Sequence, residues 1–132
     1  MFEQDYIMRL IREIIRTLLK LIFNIDLNRS DRLDLDEEEY DVEKYEKLLD
    51  LIDDGQVNEA ENKLMDDLSR TRISDFKLAL MFYSYLNEKE DEFLEQCNYN
   101  RKEIAAGIQY VSRFYGYDEL TVSLINLFLG GI

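Results

Sequence analysis

The chain has no proline, histidine or tryptophan, and only one cysteine and five glycines among its 132 residues. Without proline nothing breaks a helix by removing a backbone donor. The absence of histidine excludes Ser–His and Cys–His nucleophile pairs, imidazole general bases and most transition-metal sites. One cysteine, Cys97, excludes an intrachain disulfide, and its place beside Phe93 and Leu94 marks it as a structural thiol. No glycine-rich phosphate loop occurs. No uncharged stretch approaches the roughly 18 residues of a membrane span, and Arg12, Arg16 and Lys20 interrupt the apolar N-terminus. Glu3 and Asp5 argue against a transit peptide. These absences point to a non-enzymatic protein with no cofactor, cytoplasmic by default.

What is present is apolar residue and acid. Hydrophobic residues make up 46% and charged residues 34%, with a net charge of −13. Carboxylate pairs such as Asp53 with Asp54 follow from that composition without implying acid–base chemistry. The charge is uneven: the first 25 residues carry four bases and three acids, the remainder twelve bases and twenty-six acids. Such a field repels phosphate backbones and anionic headgroups, so nucleic acid is excluded as a partner and membrane is disfavoured. A protein partner, a second copy included, remains.

Apolar periodicity assigns residues 1–132 to one all-α domain: a long amphipathic helix at 1–25, an acidic linker at 26–41 and helical hairpins at 42–132. In the first helix, Ile7, Leu10, Ile11, Ile14, Ile15, Leu18, Leu21, Ile22 and Ile25 share a broad face, opposite Arg9, Arg12, Arg16 and Lys20. Helical spacing resumes at Val42, Tyr45, Leu48, Leu49 and Ile52 and ends at Gly55. Asn58 with Glu61 suggests a capped helix to about Ser69, and Ser74 or Asp75 opens another. A short helix follows at Asp91 to Cys97. Asn100 with Glu103 repeats the capping signal, Gly116 closes that helix, and Asp118 begins the last.

Two junctions share a grammar: Asp54-Gly55-Gln56-Val57-Asn58-Glu59-Ala60 and Phe114-Tyr115-Gly116-Tyr117-Asp118-Glu119-Leu120. A glycine supplies positive φ, and a small residue such as Ala60 lets two helices approach. This resembles the turn and second helix of tetratricopeptide-type repeats. The step from Gly55 to Gly116, however, is far longer than one repeat of about 34 residues, and no proline closes the unit. The expected architecture is a long N-terminal helix plus tetratricopeptide-like hairpins, six or seven helices in all. Phe2-Glu3-Gln4-Asp5-Tyr6-Ile7-Met8-Arg9-Leu10-Ile11, then Asp54-Gly55 through Asn58-Glu59-Ala60-Glu61-Asn62, and Phe82-Tyr83-Ser84-Tyr85-Leu86-Asn87 give the chain a further likeness. It resembles a bacterial domain-of-unknown-function family of small helical proteins, which implies a helical cytoplasmic protein and brings no catalytic residues.

Four elements are candidates for function. Asp26, Asn28, Ser30, Asp34 and Glu37 fall at ligand positions of an EF-hand-like loop, so calcium is the alternative reading, although Asp31 stands where glycine makes the turn. Ile7, Ile11, Ile14, Leu18 and Phe23 are the candidate contacts of a homodimer through the first helix. The basic stripe suits anionic lipid, an acidic partner or, as favoured here, the chain's own residues 31–54, with twelve acids and three bases. The aromatics from Phe76 to Tyr85, with Tyr110, Phe114, Tyr115 and Tyr117, are core or a peptide groove. The leading expectation is a protein–protein interaction module.

Overall fold

A computed structural model describes residues 2–26 and 39–129, and among them all regular structure is helical. Seven helices follow in order: α1 (Phe2–Phe23), α2 (Glu39–Asp53), α3 (Val57–Asp66), α4 (Ile73–Asn87), α5 (Asp91–Gln96), α6 (Arg101–Phe114) and α7 (Asp118–Phe128). The all-α expectation and its helix count therefore hold, and α1 falls within the expected bounds of 1–25.

The breaks between helices are made by local backbone geometry. Gly55 and Gly116 have φ of +85° and +83°. At the first, Gln56 N–H donates to Leu51 O at 2.9 Å and Gly55 N–H to Ile52 O at 2.9 Å; at the second, Tyr117 N–H donates to Ser112 O at 2.7 Å and Gly116 N–H to Arg113 O at 3.1 Å. Both are Schellman caps, which satisfy the last carbonyls of the preceding helix and turn the chain back on itself. Asn98, at φ +57°, ends α5 in the same way, with Tyr99 N–H donating to Leu94 O at 3.0 Å. Asparagine tolerates this conformation better than other non-glycine residues. The expected capping box at Asn100 and Glu103 forms in full. The one expected at Asn58 does not, because the tight turn starts α3 two residues earlier, with Gln56 as its N-cap and buried Val57 in its first turn, and the Asn58 side-chain amide donates to Cys97 O at 3.4 Å. Asp75 is likewise inside α4, where its carboxylate accepts from Ser69 N–H and Arg72 Nε.

The core is organised around α4, which packs on α1, α2 and α6; α3 covers α2, and α7 covers α1 and α6. Residues from Asp75 to Tyr83 are buried without a break, so α4 has almost no solvent side in that stretch. From α1 come Ile11, Ile14, Ile15, Leu18 and Leu19, from α2 and α3 Leu48, Ile52, Ala60 and Leu64, and from α6 Ile104, Ile108 and Val111. Aromatic rings run outward from α4: Phe76 stacks on Tyr115 at 5.2 Å and on Tyr117 at 5.6 Å, and meets Phe23 edge-on at 5.9 Å.

Polar groups drawn inside are tied at both ends of α4. At its start, Arg72 bridges two buried carboxylates, Asp41 at 2.7 Å and Asp75 at 3.4 Å. At its end, the guanidinium of Arg101, 1% exposed, donates to the carbonyls of Asn87 and Lys89 and to Asp91. The Asn87 side-chain amide donates to Met8 O at 2.9 Å and so binds α1 to the same knot. Replacing Arg101 by Met leaves those carbonyls without their donor, and urea unfolding is expected to show a loss of about 3 kcal/mol.

Tyr83 lies flat against α6. Its hydroxyl donates to Glu61 at 2.6 Å, Tyr99 donates to the same oxygen at 2.9 Å, and a Cβ at Gly107 would fall 2.2 Å from the Tyr83 oxygen. Ala at Gly107 is a better helix former by about 1 kcal/mol. The overlap with a hydrogen-bonded ring outweighs this, so Gly107→Ala is expected to lower stability by about 1 to 3 kcal/mol, measured by chemical denaturation.

Burial, with the negative charge of Glu61 second, holds the phenols of Tyr83 and Tyr99 far above the usual tyrosine range. Burial, with Tyr85 and Asp75 respectively as secondary causes, pushes Tyr45 and Tyr115 up to about 12. A phenol whose folded pKa is raised contributes stability in full below the unfolded value of about 10 and loses it as pH climbs toward about 12. The urea midpoint is therefore expected to fall steadily between about pH 10 and about pH 12, while absorbance at the tyrosinate band shows these rings ionising only as the chain unfolds.

Candidate functional site

Antiparallel packing of α2 and α3 leaves a groove on the outer side of this hairpin. The inward faces are apolar: Leu48 and Ile52 on α2, Ala60 and Leu64 on α3, with Ala60 allowing the close approach. The outward faces diverge above Leu48 and Leu51, leaving a cleft of about 520 Å³. Its rim carries Glu43, Lys44, Lys47, Asp50 and Asp54 from α2 and its turn, and Lys63 and Asp67 from α3. Lys44 reaches Asp67 across the cleft at 3.8 Å, and its side chain is only 13% exposed.

The cleft combines an apolar floor with a charged rim. Leucine offers an apolar floor, and ammonium and carboxylate groups alternate around it. No nucleophile paired with a base lies there. α2 is held in place from behind: the Tyr45 hydroxyl donates to Met81 O at 3.4 Å, and Asp53 accepts from Lys89 at 2.7 Å and from Tyr85 at 2.8 Å. The Lys89 hydrogen bond, reinforced by that of Tyr85 against the opposing effect of burial, keeps the Asp53 carboxyl below its ordinary range. One wall of the groove is thus a helix tied to α4 and to the turn after it.

The residues singled out by sequence distribute differently. Of the EF-hand-like loop, Asp26 is half-buried after α1, while Asn28, Ser30, Asp34 and Glu37 lie outside the described residues. Among the described residues no group of three or more Cys, Asp and Glu side chains converges as metal ligands. Ile11, Ile14 and Leu18 sit in the chain's own core at 1%, 5% and 0% exposure, and Ile7 and Phe23 pack partly buried against it. Most of the apolar stripe of α1 is thus taken up within the chain, while Leu21 stays 61% exposed.

On the basic face of α1, Arg12 and Arg16 have partners outside residues 39–54, and residues 31–38 of the expected acidic segment lie outside the described residues. Arg12 binds Glu88 through two hydrogen bonds, at 3.0 and 2.9 Å, and Arg16 pairs with Glu13 of its own helix at 3.0 Å. Residues 39–54 supply neither contact. The reason is topological, since α1 lies against α4, whose C-terminal cap is Glu88. Of the aromatic set, Phe76, Phe82 and Tyr83 are core, as is Met81 among them; Tyr110 stays exposed. Cys97 is half-buried against the core at the end of α5.

The groove residues Lys44, Lys47, Leu51, Lys63 and Asp67 were not anticipated. One signal existed: Leu51 stands off the stripe of Tyr45, Leu48 and Ile52, on the side of Lys44 and Lys47. An isolated leucine among charges on a helix is ordinary, so only the position of α3 gives it meaning.

Residues 1–116 match a family of unknown function, DUF6483. No curated protein and no solved structure matches the chain. The matched stretch contains α1 to α6 with the groove and stops at the turn glycine before α7. The chain belongs to this family of unknown function, DUF6483.

Proposed function

We propose that the protein is a non-enzymatic interaction module that binds a cationic, amphipathic protein segment in the α2–α3 groove. The observation that carries this reading is the cleft of about 520 Å³ with Leu48 and Leu51 at its floor and charged groups around its mouth. Apolar contact with that floor would supply affinity. Four acids against three lysines on the rim, within a chain of −13, would draw positively charged partners and set their orientation. The lack of histidine and the single cysteine support a binding role in a reducing cytoplasm, and the resemblance described above suggests a bacterial one. The paired Schellman turns support tetratricopeptide-like hairpins as the scaffold.

The test is affinity capture from cell extract with wild type and Leu51→Lys side by side. Leu51 is only partly buried, so the variant is expected to keep the wild-type melting temperature while losing the bound protein at least tenfold. Partner binding should also weaken as salt is raised, because the steering charges are at the surface. A protein retained equally by both forms, or none above background, overturns the reading.

A further inference from the structure

We infer that the outward face of α7 is a self-association surface, on which a second copy of this chain docks by its own α7. Helix α7 buries only Thr121 and Leu124, and Thr121 is anchored by a 2.8 Å hydrogen bond to Ser112. On its other side Val122 is 41% and Leu127 66% exposed, with Ser123 and Asn126 exposed between them. Leu127 is the most exposed large apolar side chain among the described residues.

The charge pattern says what covers this face. Residues 120–132 contain no charged side chain, in a chain where 34% of residues are charged. The outer face of α2, by contrast, carries Glu43, Glu46, Lys47 and Asp50. A cationic partner is drawn to carboxylates, and beyond its first turn α7 offers none. Two copies at −13 each repel wherever charged surfaces meet, so a neutral apolar face is where they can touch at least electrostatic cost. A twofold arrangement makes the face its own complement. Antiparallel crossing also keeps the acidic first turns, Asp118 and Glu119, apart: a helix of 11 residues spans about 16 Å, against a screening length of about 8 Å at physiological salt. An interface of one helix per copy is small, so the dimer is weak and concentration-dependent.

This surface is distinct from the α2–α3 groove, and Leu51→Lys leaves it intact. Sedimentation velocity of the full chain over a concentration series is expected to move from the 15.8 kDa monomer toward twice that mass, with association several-fold tighter at about 0.5 M than at about 0.05 M salt, because salt screens the mutual repulsion. Leu127→Glu should abolish the shift at unchanged melting temperature. In a Cys97→Ser background, Ser123→Cys, at the middle of α7, should form disulfide-linked dimers under mild oxidation, and Glu119→Cys, at its start, should not. A wild type that stays monomeric in high salt overturns the proposal, as does a dimer that weakens with salt or survives Leu127→Glu. Monomers that instead bind neutral phosphatidylcholine vesicles through Leu127 assign the face to lipid and equally overturn it.

Discussion

A helix enclosed on nearly every side cannot leave its terminal backbone groups to water, and that constraint organises this protein. α4 carries an apolar run too long and too evenly distributed for one face, so α1, α2 and α6 must surround it. Enclosure strips solvent from its C-terminal carbonyls. Arg101 meets them with a guanidinium buried among Asn87, Lys89 and Asp91, and Asn87 passes the link on to α1 through Met8. At the other end Arg72 neutralises Asp41 and Asp75. The acidic character of the chain therefore has an internal cost, which these two arginines offset.

Consequences for the surface follow. Because α4 takes up much of the apolar faces of α1, α2 and α6, Ile11, Ile14 and Leu18 become core, and of the stripe on α1 Leu21 stays exposed. Two of the regions among the described residues that are neither core nor uniformly acidic stand out. One is the cleft where α2 and α3 diverge above Leu48 and Leu51, inside the part of the chain that matches the family. The other is the uncharged flank of α7, beyond that part. The first has the composition of a site for a partner of opposite charge, the second that of a contact between like-charged equals.

Much of the architecture was legible because it is written in short-range terms. Gly55 and Gly116 close their helices by hydrogen bonds spanning five residues, and Asn100 with Glu103 spans three, so the turn and cap residues alone reveal them. Asn98 escaped notice because asparagine adopts positive φ only when its surroundings favour it, and here Tyr99, buried with its hydroxyl on Glu61 of α3, directs the chain after α5. Asn58 misled for a related reason: a tight turn competes with a side-chain cap for the same start of helix, and the glycine prevailed.

Composition and periodicity alone were enough to anticipate the all-helical structure of the described residues and the glycine turns between helices, since each depends on residue identity or on neighbours within two turns. Which faces are covered is another matter. That Arg12 meets Glu88, that Gly107 makes room for Tyr83, and that Leu51 floors a cleft are contacts between residues tens of positions apart. Helical spacing says that a side is apolar without saying what lies against it, because hydrophobic attraction has no direction; only the packing of α4 among its neighbours chose the partners.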